Sequence, residues 1–384
     1  MGKDLRKILD ASVAQGYAPG MVALVGRGGA ADVEAVGQTA FEHGGPMPRD
    51  AIFRIASMTK PITAVATLML IEDGKLALNE SVERLLPELA DRRVLRMLSS
   101  PIDDTAPAER PITVEDLLTF RMGLGILFGG PDQYPILGPI AERDLAGFGA
   151  PRPDQDYGPD EWMRRVGELP LMAQPGERWL YTAPSNVLGV LVARASGQSF
   201  PDFLQSRVFE PLGMNDTAFF APADKLDRLA AAYWTTPDGP TLNEGDYSVP
   251  PPFPAGDAGL LSTADDIFAF SRFMLRRGTA ADGQRLLSEA SIKAMTRDHL
   301  TAAQRDGGAP ILPPGHGWGY GLSVALGRTA DGLPAGSYGW NGGLGTSWVM
   351  DPGGDTTAIL LTQAAFTNPD PPPVHKAFWR AVFG

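Results

Sequence analysis

The segment Ser57-Met58-Thr59-Lys60 holds residue types at a spacing that could pair a serine nucleophile with its own base. Residues three apart on a helix share a face, so the Ser57 hydroxyl and the Lys60 amine can come within hydrogen-bond distance. A serine needs a neighbouring base to become a nucleophile, and a lysine serves when its surroundings favour the neutral amine. A helix N-terminus adds free backbone N–H groups that could stabilise an oxyanion. The segment therefore indicates acyl-transfer chemistry.

The surroundings of Lys60 strengthen this interpretation, because a single S-x-x-K match arises readily by chance. Lys60 is the only charged residue between Arg54 and Glu72, and the side chains around it are mostly apolar. The pattern predicts a helix over Ser57–Asp73 that ends at Gly74, a residue type that commonly follows a helix C-terminus. Lysine is rarely buried without a partner or a function. We therefore expect Lys60 to be buried and functional.

Composition excludes several other chemistries. The chain has 384 residues and no Cys, which excludes thiol nucleophiles, disulfides and zinc–thiolate sites. A formal charge of -12 argues against a binder of nucleic-acid phosphates, which needs clustered Lys and Arg. There is no G-x-S-x-G motif of an α/β-hydrolase. The histidines are dispersed without metal-ligand spacing, so no metal site is predicted; they are His43, His299, His316 and His375.

Three segments resemble, in the same order, the catalytic elements of the serine β-lactamase and penicillin-binding superfamily. Phe53-Arg-Ile-Ala-Ser-Met-Thr-Lys-Pro-Ile-Thr63 resembles its active-site segment, Tyr181-Thr-Ala-Pro-Ser-Asn-Val-Leu-Gly189 its second element, and Trp340-Asn-Gly342 its third, which lies on a sheet edge. Ile112–Thr119 also resembles an early helix of the family's inserted domain. The similarity spans roughly residues 5 to 380 and is greatest to the class C β-lactamase-like carboxylesterases known as family VIII.

The resemblance implies a role for each matching residue. Ser57 would accept the acyl group, Lys60 would be its base partner, and Tyr181 would share the general acid–base work. The backbone N–H groups of Ser57 and Gly343 would form the oxyanion hole. No metal or organic cofactor is required by this chemistry. The residues that we expect to line the substrate pocket are Trp340, Asn341, Gly342, Phe128, Tyr134 and Trp348.

Two departures from the family pattern favour ester substrates. Penicillin-recognising members have Lys or His at the position of Trp340, and Asn at the position of Ala183. Trp offers no positive charge to the carboxylate of a β-lactam, and Trp at this position resembles the esterase branch. We therefore expect a serine carboxylesterase that acts on neutral, short-chain acyl esters through an acyl-enzyme on Ser57, with weak cephalosporin hydrolysis.

Several alternatives remain open from the sequence. Within enzymes they are a β-lactamase, a D-alanyl-D-alanine peptidase-like hydrolase and an acyltransferase that passes the acyl group to an acceptor other than water. A catalytically silent homologue with a binding role is the alternative from another class. The expected partner is a small-molecule ester or β-lactam, with no nucleic acid and no membrane. The sequence does not decide the natural substrate, the oligomeric state, or which of Lys60 and Tyr181 is the main base.

The elements around these residues predict an α+β fold of the β-lactamase type, an antiparallel sheet flanked by helices. Two strands, Gly20–Gly26 and Asp32–Gly37, are predicted near the N-terminus, joined at Gly28 and Gly29. An isolated hairpin would be marginally stable, so we expect these strands to join a C-terminal meander in one sheet. The predicted meander strands are Gly319–Leu326, Ser337–Trp340, Thr346–Met350 and Thr356–Thr362, followed by a helix near Val374–Val382.

The domain prediction follows from this arrangement. Residues 1–85 and 290–384 would form the sheet domain, and residues 86–289 a mostly helical inserted domain, with the active site in the cleft between them. The Pro-rich stretch Thr236–Gly256 is predicted to be a loop at the pocket rim. The longest apolar run, Ile62–Ile71, is much shorter than the roughly 20 residues of a membrane span. The N-terminus shows no signal peptide, so a cytoplasmic location is expected.

Overall fold

The computed structural model describes residues 3–145 and 152–384 and has an α+β fold built around an antiparallel sheet. Within those residues, seven strands join in the order β2-β1-β13-β12-β11-β10-β9. The strands are β1 (Gly20–Arg27), β2 (Ala30–Gly37), β3 (Phe53–Arg54), β4 (Arg93–Leu95), β5 (Thr105–Pro107), β6 (Tyr233–Thr236), β7 (Gly239–Leu242), β8 (Leu261–Ser262), β9 (His316–Trp318), β10 (Ser323–Ala325), β11 (Tyr338–Gly342), β12 (Thr346–Asp351) and β13 (Thr356–Thr362).

Helices surround the sheet and fill the middle of the chain. They are α1 (Lys3–Ala14), α2 (Thr59–Glu72), α3 (Val114–Leu118), α4 (Leu137–Glu142), α5 (Pro159–Gly167), α6 (Ala183–Ser196), α7 (Phe200–Leu204), α8 (Glu210–Leu212), α9 (Ala264–Leu275), α10 (Glu289–Met295), α11 (Ala302–Asp306) and α12 (Pro373–Phe383). No helix in these two described ranges has both the length and the apolar character to cross a bilayer.

The first and last parts of the chain share the sheet, as predicted. β1 pairs antiparallel with both β2 and β13, with Met21 opposite Thr362. Side chains alternate between the two faces of the sheet, since successive residues of a strand point to opposite sides. Ala23 packs with α1 and α12, whereas Leu24 joins the larger core that contains α2 and α9. The division of the chain into domains at residues 85 and 290 stays a prediction.

Helix α2 lies in the interior, because its residues from Thr59 to Leu70 are all buried. The predicted helix is thus confirmed, although it begins as a 3₁₀ turn over Ala56–Met58 that contains Ser57. A helix that is apolar on all sides is suited to the centre of a domain. The 3₁₀ turn therefore holds Ser57, which is half-buried, next to the buried Lys60 in the first turn of α2.

Two predicted elements differ from the structure. The single strand predicted over Gly319–Leu326 is two short strands, β9 and β10, joined by a tight turn. Gly321 occupies that turn with a φ of 71°, and a Cβ there would lie 2.9 Å from the carbonyl oxygen of Lys60. The positive φ and the short distance to the Lys60 carbonyl oxygen both favour glycine at this position. The predicted loop Thr236–Gly256 begins with the hairpin formed by β6 and β7.

Candidate active site

Ser57 and Lys60 contact each other as the spacing predicts. Lys60 Nζ donates a hydrogen bond to Ser57 Oγ over 2.9 Å. The Lys60 side chain is completely buried, whereas the Ser57 residue is half-buried and lines a cavity. Ala56, directly before Ser57, has a φ of 44°, a conformation that non-glycine residues rarely adopt and that occurs often at functional sites. The pair therefore has a buried amine next to an accessible hydroxyl.

Besides Ser57, two distant parts of the chain contact the amine of Lys60. Lys60 Nζ donates a second hydrogen bond, over 2.8 Å, to the backbone carbonyl of Asp257. The Asp257 carboxylate Oδ2 lies 3.9 Å from Nζ, and the Tyr181 ring centroid lies 4.4 Å from it. A carboxylate and the face of an aromatic ring both stabilise a positive charge. The surroundings therefore suit an amine that gains a proton during a reaction.

Tyr181 lies two residues before α6 and faces Lys60 with its ring. Its hydroxyl oxygen accepts a hydrogen bond from Trp340 Nε1 over 2.6 Å. In residues 3–145 and 152–384 no hydrogen bond joins the Tyr181 hydroxyl to Ser57 or Lys60. Catalytic hydrogen bonds are often long before substrate binds, so this geometry is compatible with a proton-transfer role. Trp340 therefore positions Tyr181 as well as lining the cavity, a contact that the sequence did not reveal.

Asp257 is a candidate site residue that sequence reasoning missed. It is buried, and its Oδ2 accepts a hydrogen bond over 2.6 Å from Thr182 Oγ1. Burial raises the pKa of the Asp257 carboxyl, while the charge of Lys60 and the hydrogen bond from Thr182 act in the opposite direction. The signal in the sequence is weak. An isolated acidic residue stands between small residues, Pro254-Ala-Gly-Asp-Ala-Gly259, just before the apolar β8.

The predicted oxyanion-hole residue Gly343 lies in the turn between β11 and β12, which packs against the backbone next to Ser57. A Cβ on Gly342 would lie 2.2 Å from the carbonyl oxygen of Ile55, and Thr346 Oγ1 donates to that same carbonyl over 3.1 Å. The Gly343 carbonyl accepts from the Phe366 N–H over 2.8 Å, whereas its own N–H donates to no other described residue. The turn thus holds a free N–H donor on the wall of the cavity beside Ser57.

A cavity of about 360 Å³ opens above Ser57. Ligand sites in proteins are commonly clefts of this order of size, lined mainly by apolar side chains. Of the predicted pocket residues, Trp340, Asn341 and Phe128 line it, and Phe128 is 53% exposed. The other described lining residues are mostly apolar or small and include Ile126, Trp234, Ala258, Ile311, Leu344 and Phe366.

Three predicted pocket residues lie elsewhere. Trp348 is buried in the main core, where its Nε1 donates to Ser271 Oγ over 2.6 Å. Tyr134 lines a different cavity, and its hydroxyl accepts from Gln133 Nε2 over 3.0 Å. Gly342 serves the close backbone approach to Ile55 and is not part of the cavity wall. The described residues contain no group of three His, Asp or Glu side chains arranged as metal ligands.

Comparison with known proteins places this chain in a family. The sequence model described as Beta-lactamase matches residues 5–379. Protein Rv1367c of Mycobacterium tuberculosis is 38% identical over 350 residues, which cover 86% of this chain and 82% of that protein. Esterase EstB of Burkholderia gladioli is 32% identical over 386 residues, covering 94% of this chain and 90% of EstB.

A solved structure supports the fold. The structure described as "EstCE1, a hydrolase with promiscuous acyltransferase activity" superposes with a TM-score of 0.84 at 24% identity and covers 100% of this chain and 98% of that chain. With the match to the family model over almost the whole length, this chain belongs to the beta-lactamase family and is a serine hydrolase.

Proposed function

We propose that this protein is a serine carboxylesterase that hydrolyses neutral, short-chain acyl esters through an acyl-enzyme on Ser57. The observation that carries the proposal is the hydrogen bond of 2.9 Å between the buried Lys60 amine and the Ser57 hydroxyl, at the floor of a largely apolar cavity. A buried base next to an accessible hydroxyl is the arrangement that activates a serine. The similarity to Esterase EstB supports the same activity.

The proposed reaction consists of two acyl transfers. Ser57 Oγ forms a bond to the ester carbonyl carbon while its proton moves to Lys60 Nζ, and the carbonyl oxygen becomes an oxyanion that faces the N–H groups of Ser57 and Gly343. The bond to the alcohol oxygen then breaks, and Lys60 and Tyr181 deliver the proton to the leaving alcohol. Water attacks the acyl-enzyme in the same way, so that the carboxylic acid leaves and Ser57 regains its proton.

The charged groups among the described residues of the cavity wall favour a substrate without a negative charge. Among the described lining residues there is no Lys, Arg or His, and Asp257 is the one carboxylate. The carboxylate of a β-lactam would lose its hydration there without gaining a cationic partner. A hydrogen bond to a charged group contributes about 1.5–3 kcal/mol, which corresponds to roughly tenfold to 100-fold in rate. Trp340 thus favours esters over β-lactams.

The substrate preference is tested by initial rates on p-nitrophenyl esters of increasing chain length and on a chromogenic cephalosporin. We expect kcat/KM for a short-chain ester to exceed that for the cephalosporin by about 100-fold, because the latter carries an unpaired carboxylate. Analysis of the products in the presence of a primary alcohol separates hydrolysis from acyl transfer. A preference for the cephalosporin would overturn the esterase proposal, and a dominant transesterified product would replace it by an acyltransferase.

Replacement of Trp340 by Phe tests the positioning of Tyr181. The variant keeps an aromatic ring on the cavity wall but loses the indole N–H that donates to the Tyr181 hydroxyl. We expect kcat for a short-chain ester to fall about fivefold, with KM within about twofold of the wild type, since a hydrogen bond contributes around 1 kcal/mol and acts here on proton transfer. Steady-state kinetics with matched melting temperatures would show this change.

Trp318→Phe is the matched control. The Trp318 ring lies 6.2 Å from that of Tyr181 in an edge-on contact, but its Nε1 has no partner among the described residues. The control therefore removes an indole beside Tyr181 without removing a hydrogen bond. An equal loss of kcat in both variants would show that packing, and not the hydrogen bond, is what matters.

A further inference from the structure

Asp257 places a carboxylate in the least solvated part of the site. The residue is 1% exposed, and the Lys60 side chain beside it is completely buried. Its position is fixed from two directions, because Thr182 Oγ1 donates to Oδ2 over 2.6 Å and the Asp257 N–H donates to Asn186 Oδ1 over 3.1 Å. Burying a carboxylate costs free energy unless it is paired with a positive charge, so the burial of Asp257 indicates that its charge has a role.

The groups around the Asp257 carboxylate identify Lys60 as its charged partner. Lys60, on α2, is the charged group that acts on Asp257, at 3.9 Å between Nζ and Oδ2. Tyr181 is the other titratable group at the pair, with its ring 4.4 Å from Lys60 Nζ. Thr182 and Asn186, which complete the contacts from the segment that enters α6, carry no charge. The carboxylate therefore faces the amine that the proposed reaction protonates.

We propose that Asp257 is a positioning residue for catalysis, which stabilises the ammonium form of Lys60 as the lysine takes the Ser57 proton. The inference rests on the proposed esterase function and deepens it. The physical role corresponds to that of the aspartate in a Ser-His-Asp triad, where a buried carboxylate stabilises the cation that forms on the base and is not itself protonated. Here the carboxylate acts on a lysine and across a gap of 3.9 Å.

The proposal assigns two tasks to different atoms of one residue. The backbone carbonyl of Asp257 accepts the hydrogen bond that directs Lys60 Nζ towards Ser57, and this contact does not depend on the side chain. The carboxylate supplies negative charge where positive charge develops in the transition state. A substitution of the side chain alone therefore removes the charge while the backbone contact is kept.

Asp257→Asn tests the charge with nearly the same shape. Without the carboxylate the ammonium form of Lys60 is less stable. In a plot of kcat/KM against pH, we therefore expect the rising limb, where activity increases with pH, to move about one unit or more to lower pH. We also expect the plateau to fall about tenfold or more, because the transition-state cation loses its partner. A role in folding alone would lower activity without moving the limb.

Asp266→Asn is the matched control. Asp266 is also a buried carboxylate held by a threonine, since Thr217 Oγ1 donates to it over 2.8 Å, but it lies on α9, away from the cavity. We expect this variant to lose thermal stability and to keep the wild-type pH limb. If Asp257→Asn does not accumulate as folded protein, Asp257→Ala replaces it, because that change removes the same charge.

The rate at which a fluorophosphonate labels Ser57, followed by intact mass at a series of pH values, separates two kinds of failure. A wild type that neither labels at Ser57 nor hydrolyses esters would overturn the proposed function. A wild type that labels, together with an Asp257→Asn variant whose limb is unmoved, would overturn the inference on Asp257 alone. The inference on Asp257 would also be overturned if the rising limb of the kcat/KM profile moved equally in the Asp266→Asn control.

Discussion

Replacement of Ser57 by Ala is expected to lower the rate of ester hydrolysis by about 10⁴-fold or more and to abolish labelling by a fluorophosphonate. The change removes the atom that would form the acyl bond, whereas the cavity and the oxyanion donors remain. Serine hydrolases that lose the nucleophile retain only the residual catalysis of binding and oxyanion stabilisation. Intact-mass spectra and steady-state rates measure both effects on one preparation.

Ser185→Ala is a suitable control for this experiment. Ser185 is completely buried in α6, and its hydroxyl has no partner among the residues that the structure describes. It also lies close in sequence to Tyr181 without lining the cavity. We expect this variant to hydrolyse esters at the wild-type rate and to be labelled once. Labelling that persists in Ser57→Ala would show that the nucleophile is another residue.

The contact between Ser57 and Lys60 could be predicted because it is local. Residues three apart at the start of a helix meet whatever the rest of the fold does. Short apolar runs bounded by turn residues likewise predict β1, β12 and β13. Their successive side chains lie alternately towards α1 and α12 and towards α9.

Contacts between distant segments could not be predicted in the same way. Asp257 meets Lys60 across 197 residues, and Trp340 meets Tyr181 across 159. The first contact depends on how the loop before β8 packs against α2, and the second on how β11 packs against the segment before α6. An aspartate between Gly256 and Ala258 shows no periodicity and no motif that would reveal such a role. The structure therefore adds to the predicted Ser57 and Lys60 the charged group and the indole that surround them.

Aromatic residues illustrate a second limit. Phe128, Tyr134 and Trp348 are of the same chemical class, yet only Phe128 lines the cavity. Trp348 lies directly opposite Trp340 in the pairing of β11 with β12, but it is buried against α9 while Trp340 reaches Tyr181. Aromatic side chains serve cores and pockets equally well. Residue type alone therefore cannot separate the two roles.

Replacement of Lys60 by Met is expected to lower activity about 10³-fold or more and to destabilise the fold. Met fills a similar volume but removes the base that receives the Ser57 proton. It also leaves the Asp257 carboxylate buried without its charged partner. Breaking a buried ion pair by removing one member costs about 3 kcal/mol or more. Rates on a short-chain ester and denaturant unfolding at neutral pH would measure the two losses.

The destabilisation of Lys60→Met should depend on pH in a direction set by Asp257. Burial raises the pKa of this carboxyl, and in the variant the opposing charge of Lys60 is absent. The folded state then binds the proton more tightly than the unfolded state, whose aspartate has a pKa of about 3.9. Stability is therefore retained at low pH and lost as the pH rises from about 4 through the folded-state pKa.

The double variant Lys60→Met/Asp257→Asn separates the loss of charge balance from the loss of catalysis. Asn keeps a hydrogen-bonding side chain next to Thr182 but needs no counter-charge, so we expect most of the lost stability to return and its dependence on pH to disappear. Activity should stay low, because the base is still missing. A double variant that remains as unstable as Lys60→Met would show that the amine is needed for its hydrogen bond to the Asp257 carbonyl and not for its charge.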